Sequence, residues 1–243
     1  MAKKFTENHE VMFYECDVTG KLTLPMVLNI VINTSESQSE ALARGSHYIN
    51  SLGLGWVITQ HEMRVSRLPK AGETIAVTTA ATTYNKYFCY RDFWIHDAEG
   101  KECVAITSTF VLMDLTTRKM VSVPFEVIEP YESEKITKLQ RGTKMLPKTT
   151  GESRPYRVRF NDIDGNQHVN NARYLDWMVD CLDYDFLTSH QPTVVNIRFD
   201  KELNYSEMID SQWGFVPEIA ETISHHQIYS GETLCAEANI SWQ

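Results

Sequence analysis

The order of the predicted elements repeats once along the chain, and this repeat limits the possible folds more than any other feature of the sequence. A strand at residues 5–14, a turn at residues 17–20 and a helix from Leu24 to about Ala43 precede four strands. After residue 156 the same order returns: strand, turn, helix and four strands. The sequence therefore predicts an α+β protein of two units, each an antiparallel β-sheet wrapped around one long α-helix.

Hydrophobic spacing predicts the helices, and β-branched runs predict the strands. In the first copy, apolar residues fall at i, i+3, i+4, i+7 and i+8, and they are Leu24, Val27, Leu28, Val31 and Ile32. In the second copy, one helix face carries Ala172, Leu175, Val179 and Leu182. Strands are predicted at residues 56–65, 74–83, 87–96 and 103–115, and then at residues 156–160, 193–199, 212–219, 222–228 and 233–242.

The two copies differ at the turn before the helix. The aligned segments are residues 13–22 with 160–169, and residues 100–105 with 231–236. In this alignment Thr19 stands in place of Asn166, and Lys21 stands in place of His168. Because only the second copy has the polar group, we expect it to be catalytic, and we expect the first copy to be structural and to bind substrate.

Two carboxylates, the Asn166 carboxamide and one imidazole lie within residues 162–168. Asp164, Asn166 and His168 alternate along this polar loop, so an extended loop would place their side chains on one side. The first N–H groups of the following helix lack intrahelical partners and could stabilise an anion. Such a group could hold a water molecule and relay a proton.

The same segment can also be interpreted as an ordinary capped helix start. Asn170 or Asn171 would be the N-cap, and Asp164 and Asn166 would make loop hydrogen bonds. The residues alone leave both interpretations open.

Charge and cysteine content exclude several classes of function. The net charge of −9 argues against nucleic acid as the main partner. There is no apolar run near 18 residues and no hydrophobic signal core at the N-terminus, so a cytoplasmic protein that does not enter membranes is predicted. The five cysteines are scattered, which is typical of small core residues rather than of disulfides or a zinc site. No metal or cofactor is expected.

A basic segment separates the two copies. Residues 135–159 contain eight basic residues and one acid, a charge of 8 − 1 = +7, which leaves −9 − 7 = −16 on the rest of the chain. We divide the chain into residues 1–130, a linker at 131–153, and residues 154–243. The segment either docks an acidic partner or is a solvated linker. The docking candidates are Lys135, Lys138, Arg141, Lys144, Lys148, Arg154 and Arg157.

The turn sequence D-x-N-x-H-V-N-N, within a duplicated unit of strand, turn, helix and strands, resembles the acyl-acyl-carrier-protein (acyl-ACP) thioesterases of plant plastids and bacteria. The resemblance covers nearly the whole chain and implies two tandem hotdog domains. It assigns catalytic roles to Asp164, Asn166 and His168, and to Glu202, 34 residues beyond the histidine. Plant members have a cysteine after that glutamate, whereas this chain has Leu203, so a covalent cysteine mechanism at that residue is excluded.

The resemblance implies hydrolysis of fatty acyl-ACP to free fatty acid and acyl carrier protein. Glu202 or Asp164 would accept a proton from the attacking water, and the spacing does not decide between them. The backbone N–H groups of Val169 and Asn170 would stabilise the oxyanion. The carrier protein is the implied partner, and the duplication within one chain still permits a homodimer.

Three other functions remain open on this fold. An acyl-CoA thioesterase is the nearest, and a non-catalytic acyl-thioester sensor is the second. The intact second turn and the absence of a basic recognition helix disfavour the sensor. A dehydratase or isomerase would need its acid-base pair at other positions and ranks third.

Overall fold

The computed structural model describes residues 2–146, 151–217 and 220–243. In the first half, α1 (Leu24–Ala41) is the longest helix. The other elements are β1 (Lys4–Glu10), a 3₁₀ turn (Phe13–Glu15), α2 (Ser46–Ser51), β2 (Leu54–Val65), β3 (Thr74–Tyr84), β4 (Phe88–His96), β5 (Glu102–Asp114) and β6 (Met120–Val121).

The connection and the second half contain the remaining elements. The connection holds α3 (Phe125–Ile128), a 3₁₀ turn (Glu129–Tyr131) and β7 (Glu134–Lys135). The second half consists of β8 (Glu152–Arg157), a 3₁₀ turn (Phe160–Asp162), α4 (Asn171–Val179), α5 (Tyr184–Ser189), β9 (Pro192–Phe199), β10 (Met208–Phe215), β11 (Thr222–Ser230) and β12 (Thr233–Trp242).

Within the described residues, the strands of both halves form one continuous sheet. Its order is β1-β3-β4-β5-β2-β9-β12-β11-β10-β8, with every neighbouring pair on this path antiparallel. The halves meet where β2 pairs with β9, in a register that runs from Gln60 opposite Arg198 to Arg64 opposite Val194. The second half is therefore joined to the first edge to edge.

One hydrophobic core serves both halves. Val27 and Val31 of α1, Leu175 and Met178 of α4, and Ile197 of β9 are fully buried in the same cluster. Burying each of these side chains contributes about 1.5–3 kcal/mol relative to leaving it exposed. The two helices contact each other in this core, so the packing of the second half depends on the first.

The predicted helix of the first half is confirmed, and that of the second half is shorter than predicted. Thr23 caps α1 by accepting a hydrogen bond from the Met26 N–H. The left-handed residue Ala43 follows the helix end, which allows the N–H of Arg44 to reach the carbonyl of Ser39 at 2.7 Å. In the second half, α4 spans only nine residues and ends at Val179.

Two strands of the second half have boundaries that differ from the prediction. The strand expected at residues 156–160 is β8, and it ends at Arg157. The chain turns there because the Asp162 carboxylate accepts the N–H of Arg159 at 2.7 Å and closes a 3₁₀ turn. The strand expected from residue 212 begins at Met208, because β10 pairs with β8 from that residue onward.

The predicted linker is attached to the sheet along residues 134–146. Glu62 and Asn239, which bind it, face away from the core, since their neighbours Met63 and Ala238 are buried there. The contacts are Ile136 N–H to Tyr84 O (2.8 Å), Gln140 N–H to Tyr90 Oη (3.0 Å), Thr143 N–H to Glu62 Oε1 (2.8 Å) and Leu146 N–H to Asn239 Oδ1 (2.8 Å). The domain boundaries at 130 and 154 stay a prediction.

Three further observations concern the cysteines, membrane-spanning helices and possible metal ligands. All five cysteines are free and four are buried, as predicted for small core residues. No helix of residues 2–146, 151–217 and 220–243 is long and apolar enough to cross a membrane. In the same ranges, no group of three or more His, Cys, Asp or Glu side chains could hold a metal ion.

Candidate active site

The loop that carries the predicted polar group is a closed turn, so the expectation of an extended loop is wrong. The N–H of Asp164 donates to the carbonyl of His168 at 2.9 Å, and the N–H of Gln167 donates to the carbonyl of Asp164 at 3.0 Å. Gln167 lies in the left-handed region with a φ of 69°, which lets the chain reverse. Asp164 and His168 are therefore brought together by pairing across the turn.

The helix after this turn has a side-chain cap. Asn170 is the N-cap of α4, and its Oδ1 accepts the N–H of Ala172 at 2.8 Å. The capped-helix interpretation is thus confirmed for Asn170. It does not exclude a functional site, because Asp164 and His168 lie outside the cap.

The two backbone donors predicted for the oxyanion already have acceptors. The N–H of Val169 donates to the carbonyl of Leu203 at 3.0 Å, and the N–H of Asn170 donates to the carbonyl of Asp162 at 2.9 Å. Neither is free to bind an oxyanion in this structure, which corrects the prediction for Val169 and Asn170. Among the described residues, the first-turn N–H of Asn171 keeps no acceptor.

A short loop after β9 carries Glu202 to the turn. The N–H groups of Asp200 and Lys201 donate to the carbonyl of Cys235, at 2.8 and 3.1 Å, and Leu203 is fully buried. Glu202 Oε2 then lies 3.1 Å from His168 Nε2. The structure therefore brings together two residues that are far apart in sequence and that the resemblance had paired.

Burial raises the pKa of the Asp164 carboxyl above its usual range. The N–H of Asn166, which donates to Asp164 Oδ1 at 2.8 Å, and the charge of His168 oppose this increase. The negative charge of Glu202 adds to it. The charges of His168 and Glu202 thus both act on the Asp164 carboxyl, and Asn166 is exposed beside it.

A residue that the sequence did not indicate also belongs to this group. Arg118 lies between β5 and β6 of the first half, and its guanidinium donates to Glu202 Oε2. No motif surrounds Arg118, and it lies 84 positions before Glu202. Its only local signal is a left-handed backbone, with a φ of 54°, which the sequence does not reveal.

The predicted docking residues fall into three groups. The first group is exposed along residues 134–146, the attached segment, and consists of Lys135, Lys138, Arg141 and Lys144. Arg154 and Arg157 are exposed but have partners, since Arg154 contacts Asp180 and Arg157 lies over the Tyr205 ring at 5.5 Å. Lys148 lies outside the described residues.

A cleft of about 650 Å³ lies between β1 and α1 in the first half. Its lining includes His9, Glu15 and Asn33, and none of the predicted catalytic residues. The cleft is therefore separate from the turn that carries Asp164 and His168.

Two domain families match this chain. The acyl-ACP thioesterase N-terminal domain matches residues 2–131, and the acyl-ACP thioesterase C-terminal domain matches residues 146–243. The chain is 27% identical over 221 residues to the chloroplastic acyl-[acyl-carrier-protein] hydrolase FATB3 of Cuphea viscosissima, covering 85% of this chain and 54% of the relative. The chain spans about half the length of the curated relatives it matches.

Solved structures share the fold over nearly the whole chain. A crystal structure from Lactobacillus plantarum, assigned as an oleoyl thioesterase, is 37% identical, with a TM-score of 0.96 over 100% of this chain and 96% of that chain. The 12:0-ACP thioesterase of Umbellularia californica is 21% identical, with a TM-score of 0.85 over 99% of this chain and 97% of that chain, a likeness of fold. The predicted tandem hotdog fold is confirmed.

Proposed function

Because the chain belongs to the acyl-ACP thioesterase family, we propose that it hydrolyses the thioester of fatty acyl-ACP to free fatty acid and acyl carrier protein. The observation that carries the proposal is the contact of His168 with Glu202, at 3.1 Å, beside the Asp164 carboxyl. These groups can accept, orient and return a proton, which are the tasks that hydrolysis by water requires.

In this proposal Asp164 is the general base. Its raised pKa makes it a stronger base than an ordinary aspartate. Water attacks the thioester carbonyl carbon as Asp164 takes its proton, and a tetrahedral oxyanion forms. The carbon–sulfur bond then breaks, and the departing thiolate takes a proton from His168.

In this proposal Glu202 orients His168 and does not take the proton from water. Both His168 and Arg118 contact its Oε2 atom, so the carboxylate orients the imidazole. Leu203 follows it and is buried, so no thiol is present there to form an acyl-enzyme. The N–H of Asn171 replaces those of Val169 and Asn170 as the proposed oxyanion donor, and Asn166 is exposed in the preceding turn.

The carrier protein is the proposed partner, and the exposed basic residues at 135–144 are the proposed docking surface. A cytoplasmic location and a homodimer stay predictions from the sequence. Acyl-CoA is the competing substrate, because the chemistry at the thioester would be the same.

Fatty acid release from a panel of acyl-ACPs and the matching acyl-CoAs tests the proposal. We expect faster release from acyl-ACP, and a loss of at least about 100-fold in Asp164→Ala. Asp17→Ala is the matched control, because Asp17 closes the equivalent turn of the first half and accepts the N–H of Thr19 at 2.7 Å. Equal losses in both variants would mean that the turn matters only for folding.

The other outcomes separate the competing functions. Release from acyl-CoA alone would assign the chain to the acyl-CoA thioesterases. Binding of both thioesters without release from either would favour the sensor.

A further inference from the structure

Arg118 comes from the first half of the chain and reaches a catalytic candidate of the second half. Its guanidinium contacts Glu202 Oε2, the same oxygen that lies 3.1 Å from His168 Nε2. Among the described residues, the other oxygen, Oε1, has no hydrogen-bond partner. One oxygen is therefore held from two sides, and the other is left to accept a hydrogen bond from water.

The hairpin that carries Arg118 is tightly built. The Asp114 Oδ1 atom accepts the N–H groups of Thr116 and Thr117, at 3.0 and 2.6 Å, and the hydroxyl of Thr117 at 2.9 Å. The N–H of Arg118 donates to the carbonyl of Asp114 at 2.9 Å. Arg118 has a left-handed backbone, which is uncommon for a residue other than glycine, so the fold holds it in a conformation it would not prefer.

The contact has little value for stability. Arg118 keeps 37% of its side-chain surface exposed and Glu202 keeps 35%, and ion pairs this exposed contribute about 0–1 kcal/mol. The loop at residues 200–203 is already held by the carbonyl of Cys235 and by the buried Leu203. What the guanidinium fixes is the direction of one carboxylate.

We propose that Arg118 is a positioning residue for thioester hydrolysis: it holds the Glu202 carboxylate against His168, so that the first half completes the site of the second. This inference rests on the proposed function. It also explains why two halves with one intact turn work as one unit, because a guanidinium from the first half orients the acid-base group of the second.

The competing role for an exposed arginine at this place is recognition of the acidic carrier protein. The two roles differ in which substrates they affect. A positioning residue lowers kcat for every thioester, whereas a docking residue raises KM for acyl-ACP alone. A fatty acyl thioester of N-acetylcysteamine separates them, because it has the reacting carbonyl and sulfur but neither a carrier nor a charge.

The experiment measures kcat and KM of the full chain and of Arg118→Met and Arg118→Lys, on acyl-ACP and on the N-acetylcysteamine thioester. We expect Arg118→Met to lower kcat by about 10- to 100-fold on both substrates, the range that small misplacement of a reacting group costs. Arg118→Lys should recover most of this loss, because a lysine can still contact one carboxylate oxygen. Melting temperatures should stay within about 2 °C of the unmodified chain, since the ion pair is exposed.

Lys119→Met is the matched control, because it removes one positive charge from the next, exposed residue of the same hairpin. An unchanged kcat in Arg118→Met, or an increase in KM confined to acyl-ACP, would overturn the inference while leaving the proposed function intact. If the unmodified chain released no fatty acid from either substrate, the proposed function would fail, and the inference would fall with it.

Discussion

Glu15 and Asp162 occupy the same place in the two halves, and each closes a 3₁₀ turn with its carboxylate. Glu15 Oε2 accepts the N–H of Met12 at 2.9 Å, and Asp162 Oδ2 accepts the N–H of Arg159 at 2.7 Å. Both carboxylates are buried, with 5% and 0% of the residue surface exposed. The repeat therefore includes the local hydrogen bonding that places the turn in front of each helix.

Replacing Asp162 with asparagine should destabilise the protein at neutral pH. Burial alone would raise the pKa of this carboxyl, but the Arg159 guanidinium and N–H outweigh burial and hold the pKa below its usual range. Because the folded state favours the ionised form, this contribution is present above the usual carboxyl range and is lost as pH falls. We expect Asp162→Asn to cost about 1–3 kcal/mol at pH 7 by denaturant unfolding, and less at acid pH. A cost that does not change with pH would contradict the prediction.

Replacing Asp164 with asparagine should have the opposite effect on stability. Burial raises the pKa of this carboxyl, so the folded state favours its protonated form and stability falls as pH rises through the carboxyl range. Asp164→Asn should therefore melt at a higher temperature than the unmodified chain at pH 7 and lose this advantage at acid pH. Its activity should fall by at least about 100-fold. A variant that is both less stable and less active would indicate that Asp164 is a structural residue.

The structure also shows which parts of the fold local sequence can predict. Helix α1 was predicted because its apolar residues repeat at helical spacing, and in the structure the adjacent residue Thr23 caps it. The start of β10 was missed because it is set by pairing with β8, about 50 residues earlier in the chain. Local patterns identify an element, whereas its ends depend on partners that are distant in sequence.

The residues of the candidate site also divide into those that local sequence predicts and those that depend on distant contacts. Asp164 and His168 were found because they lie within one short turn, and Glu202 was found only through the family resemblance. Arg118 was missed because its contact crosses from one half to the other. The Val169 donor was predicted wrongly because its N–H pairs with the carbonyl of Leu203, a tertiary contact, and the Asn170 donor because its N–H pairs with the carbonyl of Asp162 across the turn. Residues that complete a site from another part of the fold leave no local pattern.

Replacing Asn166 with threonine, the residue at the equivalent position of the first turn, should weaken Asp164 as a base. In the first turn, Thr19 Oγ1 donates to Asp17 Oδ1 at 2.6 Å, whereas Asn166 donates to Asp164 only through its N–H. In Asn166→Thr the new hydroxyl should bind the Asp164 carboxylate and lower its pKa, because a hydrogen bond favours the charged form. We expect kcat to fall by about tenfold or more and the acid limb of the pH–rate profile to move to lower pH. Thr19→Asn, the reverse change in the first half, should leave both measurements unaltered.

Reversing charges on the attached segment should weaken recognition of the carrier protein alone. Lys138 and Arg141 are exposed, so a change there should not disturb packing. We expect each change to glutamate to raise KM for acyl-ACP by several-fold at low salt and to have less effect at high salt, because exposed charges are screened. KM for the N-acetylcysteamine thioester should not change. Lys101→Glu, on the exposed β4–β5 hairpin, is the control, and an equal effect there would mean that only net charge matters.

Loosening the attached segment should expose it to proteolysis. Thr143 donates to Glu62 through both its N–H and its hydroxyl, at 2.8 and 2.7 Å, and its carbonyl accepts from Asn196 at 2.9 Å. Thr143→Val removes the hydrogen bond from the hydroxyl to Glu62, so one carboxylate oxygen loses its donor. The attachment of the segment should weaken by about 0.5–1.5 kcal/mol. Trypsin should therefore cleave faster after Arg141 and Lys144, while the melting temperature of the rest changes little. Thr137→Val is the control because Thr137 is exposed on the same segment, and equal cleavage of both variants would show that the Glu62 contacts do not hold the segment in place.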